Sequence, residues 1–118
     1  MTIRLKRIYD AKADDDGQRI LVDRLWPRGI KKEDAGIDLW LRDVAPSPAL
    51  RQWFGHDPSR WTEFRKRYRE ELRQDGAVLE DLRARCKGQA VTLLFAAKDT
   101  KHNHAVVLRD LLSGSHEE

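Results

Sequence analysis

Two short stretches of this chain hold the side-chain types that do chemistry. The first is Asp23-Arg24-Leu25-Trp26-Pro27-Arg28-Gly29. Arg24 and Arg28 can present planar guanidinium forks to a carboxylate or a phosphate. Trp26 offers a flat face between them. Pro27 and Gly29 restrict and shape the loop that would aim these groups. Asp23 would orient an arginine or act as a general base. The plainer alternative is a rigid turn whose arginines pair with nearby aspartates and stack on Trp26.

The second stretch is Ala97–Ala105, reading AKDTKHNHA. Lys98 and His104 fall just before, or in the first turn of, an expected helix whose free N–H groups favour an anion. An unperturbed histidine titrates near neutrality, so His104 is a candidate acid/base group, with Asp99 or Asp23 as its proton-handling partner. The plainer alternative is a capping loop with a surface histidine, and for His102 that alternative is preferred.

Both stretches need elements to hold them. Val91–Ala97 is a continuous apolar run, as expected of a central strand covered on both faces. Ile3, Leu5 and Arg7 alternate with their neighbours in a first strand that ends at Tyr9-Asp10. Arg19–Leu25 reads as a second strand. Ile37–Val44 alternates at Ile37, Leu39 and Leu41 but also fits a helix at Ile37, Trp40, Leu41 and Val44; its short length and Pro46 favour a third strand, ending at Asp43. Ala11–Gln18, with three consecutive aspartates, reads as a solvated loop. It lacks the alternating spacing and downstream glutamate of an EF-hand, so calcium is set aside. Ile30–Ala35 can make one or two helical turns. Ser47-Pro48 and Asp57-Pro58 are helix-start signals. The first precedes Leu50, Trp53 and Phe54. The second precedes Trp61, Phe64, Tyr68 and Leu72, whose spacing of three and four makes a buried stripe. Leu79, Leu82 and Cys86 define another helix, and Asn103 can cap the last.

Alternating strands and helices predict an α/β fold, a small, mostly parallel sheet of about four strands with helices packed on it. In a parallel sheet the charged residues that end each strand, Asp10, Asp23-Arg24, Asp43 and Lys98-Asp99, would gather along one edge. The expected organisation is one domain over residues 1–112 with a flexible tail over 113–118.

Composition narrows the classes. The 118 residues carry 23 basic against 20 acidic side chains, a net charge of +3. That suits an anionic small-molecule partner and falls short of the concentrated basic face of most nucleic-acid binders. The charged face of Arg65–Arg73 has its acids interleaved with its bases and reads as solvated. Cys86 is the only cysteine, which fits a buried structural thiol, a reducing compartment and a cytoplasmic location. No apolar stretch is long enough for a membrane helix. Metal binding is not expected: His102, His104, Asp99 and the His56-Asp57 pair show no recognised zinc spacing. No Gly-rich phosphate loop, HExxH or GxSxG pattern occurs, and the residues leave the cofactor unknown. Oligomeric state is not encoded in any pattern read here.

With these residues in view, the chain resembles the YeaO-like family, a bacterial group classed as domain of unknown function 488. The resemblance rests on DRLWPRG (Asp23–Gly29), LWLRDVAPS (Leu39–Ser47), LRQWFGHDPSRWTEFRKRYREEL (Leu50–Leu72) and VTLLFAAKDTKHNHAVVL (Val91–Leu108). It implies a small α/β domain and brings no established activity. Longer relatives of the wider group carry a cysteine and an acid at the end of the strand matching Val91–Ala97, and a Cys-His-Arg run at the next helix start. Here that run has only His104 in common, so the resemblance carries over neither thiol chemistry nor a thiolate metal site. The Asp23–Arg24 pair is shared.

The resulting expectation is an anion pocket gripped by Arg24, Arg28, Lys98 and Trp26, with Asp23, His104 and Asp99 as catalytic candidates. A hydrolase or group transferase acting on a phosphorylated or nucleotide-like substrate would suit those groups. The rival reading is a nucleic-acid-associated or regulatory binding module without catalysis, which would lose affinity steeply with salt.

Overall fold

A computed structural model describes residues 2–113; most of the expected tail, residues 114–118, lies outside the described residues. Four parallel strands form one sheet in the order β1-β4-β2-β3. They are β1 (Thr2–Arg7), β2 (Gln18–Leu21), β3 (Leu39–Trp40) and β4 (Ala90–Phe95). The helices are α1 (Lys32–Ala35), α2 (Pro48–Phe54), α3 (Trp61–Gln74), α4 (Gly76–Cys86) and α5 (His104–Leu112). The expected α/β architecture is therefore present.

Strand register divides the sheet into two unlike faces. Ile3, Leu5, Ile20, Val91, Leu93 and Phe95 point to one side, where they pack with Phe64, Tyr68, Leu82, Val107 and Leu108 from α3, α4 and α5. Fully burying one such aliphatic or aromatic side chain contributes on the order of 1.5–3 kcal/mol, so this layer holds most of the apolar driving force. The opposite face carries Leu21 and Leu94, covered by Ile8, Trp26, Ile30, Ile37 and Trp40. It also carries the polar residues Lys6, Arg19 and Thr92.

The loop before β2 is largely exposed, as expected, and those polar residues correct the expectation at one position, Asp16. Asp14–Asp16 is a short 3-10 turn, and Asp16 is buried. Its carboxylate accepts from Lys6 Nζ at 2.8 Å and from Arg19 Nη1 at 2.5 Å. Arg19 is itself buried and donates to the Gly36 carbonyl at 2.7 Å. A buried charge is costly unless paired and hydrogen-bonded, and here each is. Gly17 lets this turn lie against β4, because a Cβ there would collide with the Ala90 carbonyl.

Three strands stop earlier than their sequence patterns suggest. β2 stops at Leu21 rather than reaching Leu25. Beyond it, Val22 N–H still donates to Leu94 at 3.1 Å, and then the Asp23 side chain takes over, accepting from Ala96 N–H at 3.0 Å. β3 has only Leu39 and Trp40 in the sheet, and Arg42–Val44 tightens into a 3-10 turn. β1 likewise ends at Arg7.

The connections explain where a cleft can form. After β2 the chain goes to α1 on the polar face, and after β4 it goes to α5 on the apolar face. Adjacent strands whose exits diverge leave a crevice at their carboxyl ends.

Candidate functional site

That crevice is an open cleft of about 1040 Å³. Most of its lining comes from three segments: Asp23–Arg28 leaving β2, α2 with its flanks from Ala45 to His56, and Ala96–Asp99 with His102–His104 leaving β4; Tyr9 and Phe64 add to it. Every residue singled out in the two chemical stretches, Asp23, Arg24, Trp26, Arg28, Lys98, Asp99 and His104, faces it. The predicted gathering of strand-end charges is only half right. Asp10 closes a turn by accepting from Arg7 N–H at 3.0 Å. Asp43 lines a separate recess with Val78 and Asp81. Each left the edge because its strand ended earlier than the pattern implied.

Local sequence explains how each segment is held. Gly29 has φ of 80° in a turn in which Ile30 N–H meets the Pro27 carbonyl at 3.5 Å. Trp26 Nε1 donates to the Ile30 carbonyl at 2.6 Å, and its ring meets Trp40 edge-on at 5.3 Å. Trp26 thus anchors the loop on the smaller core and leaves part of its surface to the cleft. Tyr9 Oη donates to the Arg28 carbonyl at 2.9 Å. Ser47 Oγ caps α2 by accepting from Leu50 N–H at 3.1 Å and donates to Glu71 at 2.6 Å, tying that helix start to α3. Asn103 Oδ1 caps α5 through Val106 N–H at 3.2 Å.

The acids of the cleft are occupied. Asp23 Oδ2 holds Ala96, its backbone carbonyl accepts from Trp40 Nε1 at 2.7 Å, and its Oδ1 lies 3.2 Å from His104 Nε2. His104 Nε2 also lies 3.0 Å from the Val22 carbonyl. A carbonyl can only accept, so this contact puts the proton on Nε2. Asp99 accepts from Lys101 N–H at 2.9 Å and His102 N–H at 3.0 Å, with its second oxygen 2.9 Å from His102 Nδ1. The Lys101 N–H first, and then the His102 side chain, hold the Asp99 carboxyl below the usual carboxylate range.

The bases are less committed. Arg24 donates to the Ala45 carbonyl at 3.2 Å and the Pro46 carbonyl at 3.4 Å, so part of its fork is structural. Arg28, Lys98 and Arg51 are exposed. Among the described residues none of the four enters an ion pair. Arg51 was not foreseen, because nothing in its sequence neighbourhood separates it from the other basic residues of a helix. Arg7 was also missed: it leaves β1 to donate to Ala97 and Ala96 carbonyls at 2.9 and 3.1 Å, bracing the end of β4. His56, which lines the cleft with a left-handed φ of 57°, carried only a weak metal reading.

With the geometry in place, comparison with known proteins is decisive on kinship. The sequence profile described as "Inactive DUF488-N3 subclade" matches residues 2–118. The chain belongs to the YeaO-like DUF488 family. The uncharacterized protein YeaO of Escherichia coli is 47% identical over 115 residues, spanning 95% of this chain and 97% of its own. An uncharacterized protein of Mycobacterium tuberculosis is 46% identical over 112 residues, covering 95% and 94% of the two chains. No solved structure matches. No helix among the described residues is long and apolar enough to cross a membrane.

The resemblance read from DRLWPRG and VTLLFAAKDTKHNHAVVL is thereby established at the level of family. Among the described residues, no serine, threonine or cysteine side chain lines the cleft. Cys86, the last residue of α4, is buried in the core, and burial pushes its thiol up.

Proposed function

We propose that this chain is a binding domain whose cleft takes a small anion, a phosphate or carboxylate group, without turning it over. One observation carries the reading: the cleft's two carboxylates are already hydrogen-bonded, whereas Arg28, Arg51 and Lys98 are exposed and unpaired among the described residues. Exposed cations that enter no ion pair are free to contact an anion, and a charge-assisted contact to arginine is roughly twice as strong as a neutral one.

Two features support binding without catalysis. Among the described residues, the lining offers no thiol or aliphatic hydroxyl to act as nucleophile. Asp23, Asp99 and His104, the acid/base candidates, are each engaged in holding backbone. The family description as an inactive subclade agrees with this. Hydrolysis or group transfer is therefore not the favoured reading.

The test is titration of inorganic phosphate into the native chain and into Arg28→Ala and Lys98→Ala. Each substitution is expected to weaken binding by roughly threefold to tenfold. Unchanged affinity in both variants overturns the reading. A steep fall in affinity with salt, for an oligonucleotide rather than phosphate, would favour the nucleic-acid alternative instead.

A further inference from the structure

The anion reading leaves one property of the cleft unexplained, and that property identifies the rest of the ligand. Among the described residues only two large apolar side chains are conspicuously exposed, Leu25 at 62% and Tyr9 at 44%. Both line this cleft. Leu25 belongs to neither apolar cluster of the fold, so its position between Arg24 and Trp26 adds nothing to core packing. Tyr9 is held at the rim by its hydroxyl on the Arg28 carbonyl and by Arg7, whose guanidinium lies 5.0 Å from its ring centre. From α2 the lining also includes Pro48 and the edge of the largely buried Phe54. Within a concave, charge-lined cleft, such exposed apolar surface is surface that the apolar body of a ligand can cover.

Resting on the anion reading above, we infer that the ligand is amphipathic, a phosphate or carboxylate attached to an aromatic or bulky aliphatic body. The cations fix the head, and Leu25, Tyr9 and the α2 lining receive the body. Size agrees. A cleft of about 1040 Å³ is far more room than a bare inorganic anion fills, and sites for organic ligands run to roughly 300–1,000 Å³. A protein partner fits less well. A stable interface covers roughly 800 Å² on each side, and beyond this concave patch the described surface exposes no other large apolar side chain to extend it.

The experiment compares three probes on the native chain: inorganic phosphate, 2-naphthyl phosphate and 2-naphthol, with affinities measured calorimetrically. The naphthyl phosphate is expected to bind at least about tenfold more tightly than either of the others, the gain expected from burying part of an aromatic body. Leu25→Ser, at an exposed position outside the core, should remove most of that advantage while leaving the affinity for inorganic phosphate within about twofold. Equal affinities for phosphate and naphthyl phosphate would overturn the inference and leave the anion reading standing. Equal affinities for naphthol and naphthyl phosphate would remove the anionic head and overturn both. An aryl advantage that survives Leu25→Ser would overturn the assignment to this rim. Self-association of the native chain that Leu25→Ser abolishes would show that the patch receives a second copy, and the inference would fall.

Discussion

Asp23 and His104 meet at 3.2 Å, carboxylate Oδ1 to imidazole Nε2, across the gap between the end of β2 and the start of α5. The same imidazole nitrogen reaches the Val22 carbonyl at 3.0 Å, while the other carboxylate oxygen holds Ala96 N–H. These two side chains close the sheet where its backbone ladder stops. Oδ1 is buried and makes no hydrogen bond of good geometry among the described residues, so the histidine beside it is its main compensation. The pair resembles an acid/base couple in composition, but its contacts are those of a clasp.

If the pair is a clasp, its loss is felt in stability. Asp23→Ala strands the Ala96 N–H, and His104→Ala strands the Val22 carbonyl. Each is expected to cost about 1–2 kcal/mol in urea unfolding, and Asp23→Asn, which keeps an acceptor, less. Because the two side chains touch, the double variant should lose less than the sum, with a coupling of roughly 0.5 kcal/mol or more. Full additivity would mean that each acts alone.

The two arginines of DRLWPRG should separate in the same measurement. Arg24→Ala leaves the Ala45 and Pro46 carbonyls without their donor and is expected to cost about 1–2 kcal/mol. Arg28→Ala touches an exposed side chain and should fall within about 0.5 kcal/mol of the native chain. Equal destabilisation by both would make the whole loop structural.

Stability should fall at both ends of the pH scale for identifiable reasons. Lys6 above all, then the Ala13 N–H and Arg19, hold the Asp16 carboxyl far below its ordinary value of 3.8. Its contribution is complete above the unfolded value and is lost as pH falls below about 4 toward the folded one. Tyr68 is the opposite case. Burial first, then the negative charge of Glu71 and Asp23, push its phenol well above 10.0. The folded chain keeps that proton where the unfolded chain would release it, so stability drops as pH rises past 10. Asp16→Asn should flatten the acid limb and Tyr68→Phe the alkaline one, seen in thermal midpoints against pH. Tyr68→Phe also frees the Val44 carbonyl, now 2.6 Å from the phenol oxygen, and should lower stability throughout by about 1–3 kcal/mol.

Much of this was legible from local patterns. The continuous run of β4, the Pro27–Gly29 turn, the Ser47 and Asn103 caps and the Phe64-Tyr68-Leu72 stripe each depend on neighbours within a few residues. What failed depends on distant ones. Ile37–Val44 alternates like a strand, but its partner β2 leaves the sheet at Leu21, so only Leu39 and Trp40 find pairing. Asp14 and Asp15 are solvated as their composition suggests, but Asp16 turns inward to Lys6, ten residues earlier. Arg51 joins the cleft only because the α2 start is tied to Glu71 of α3. The chemical stretches were found by type and spacing, while the commitment of Asp23, Asp99 and Arg24 to backbone contacts required the fold.

The most direct test of the cleft as an anion site is amide-resolved NMR of the native chain titrated with inorganic phosphate at constant ionic strength. Saturable shifts confined to residues 23–28, 51–56 and 96–104, and lost together in Arg28→Ala/Lys98→Ala, are the predicted result. Shifts scattered over the charged faces of α3 and α4, or none that saturate at the cleft, would contradict the account.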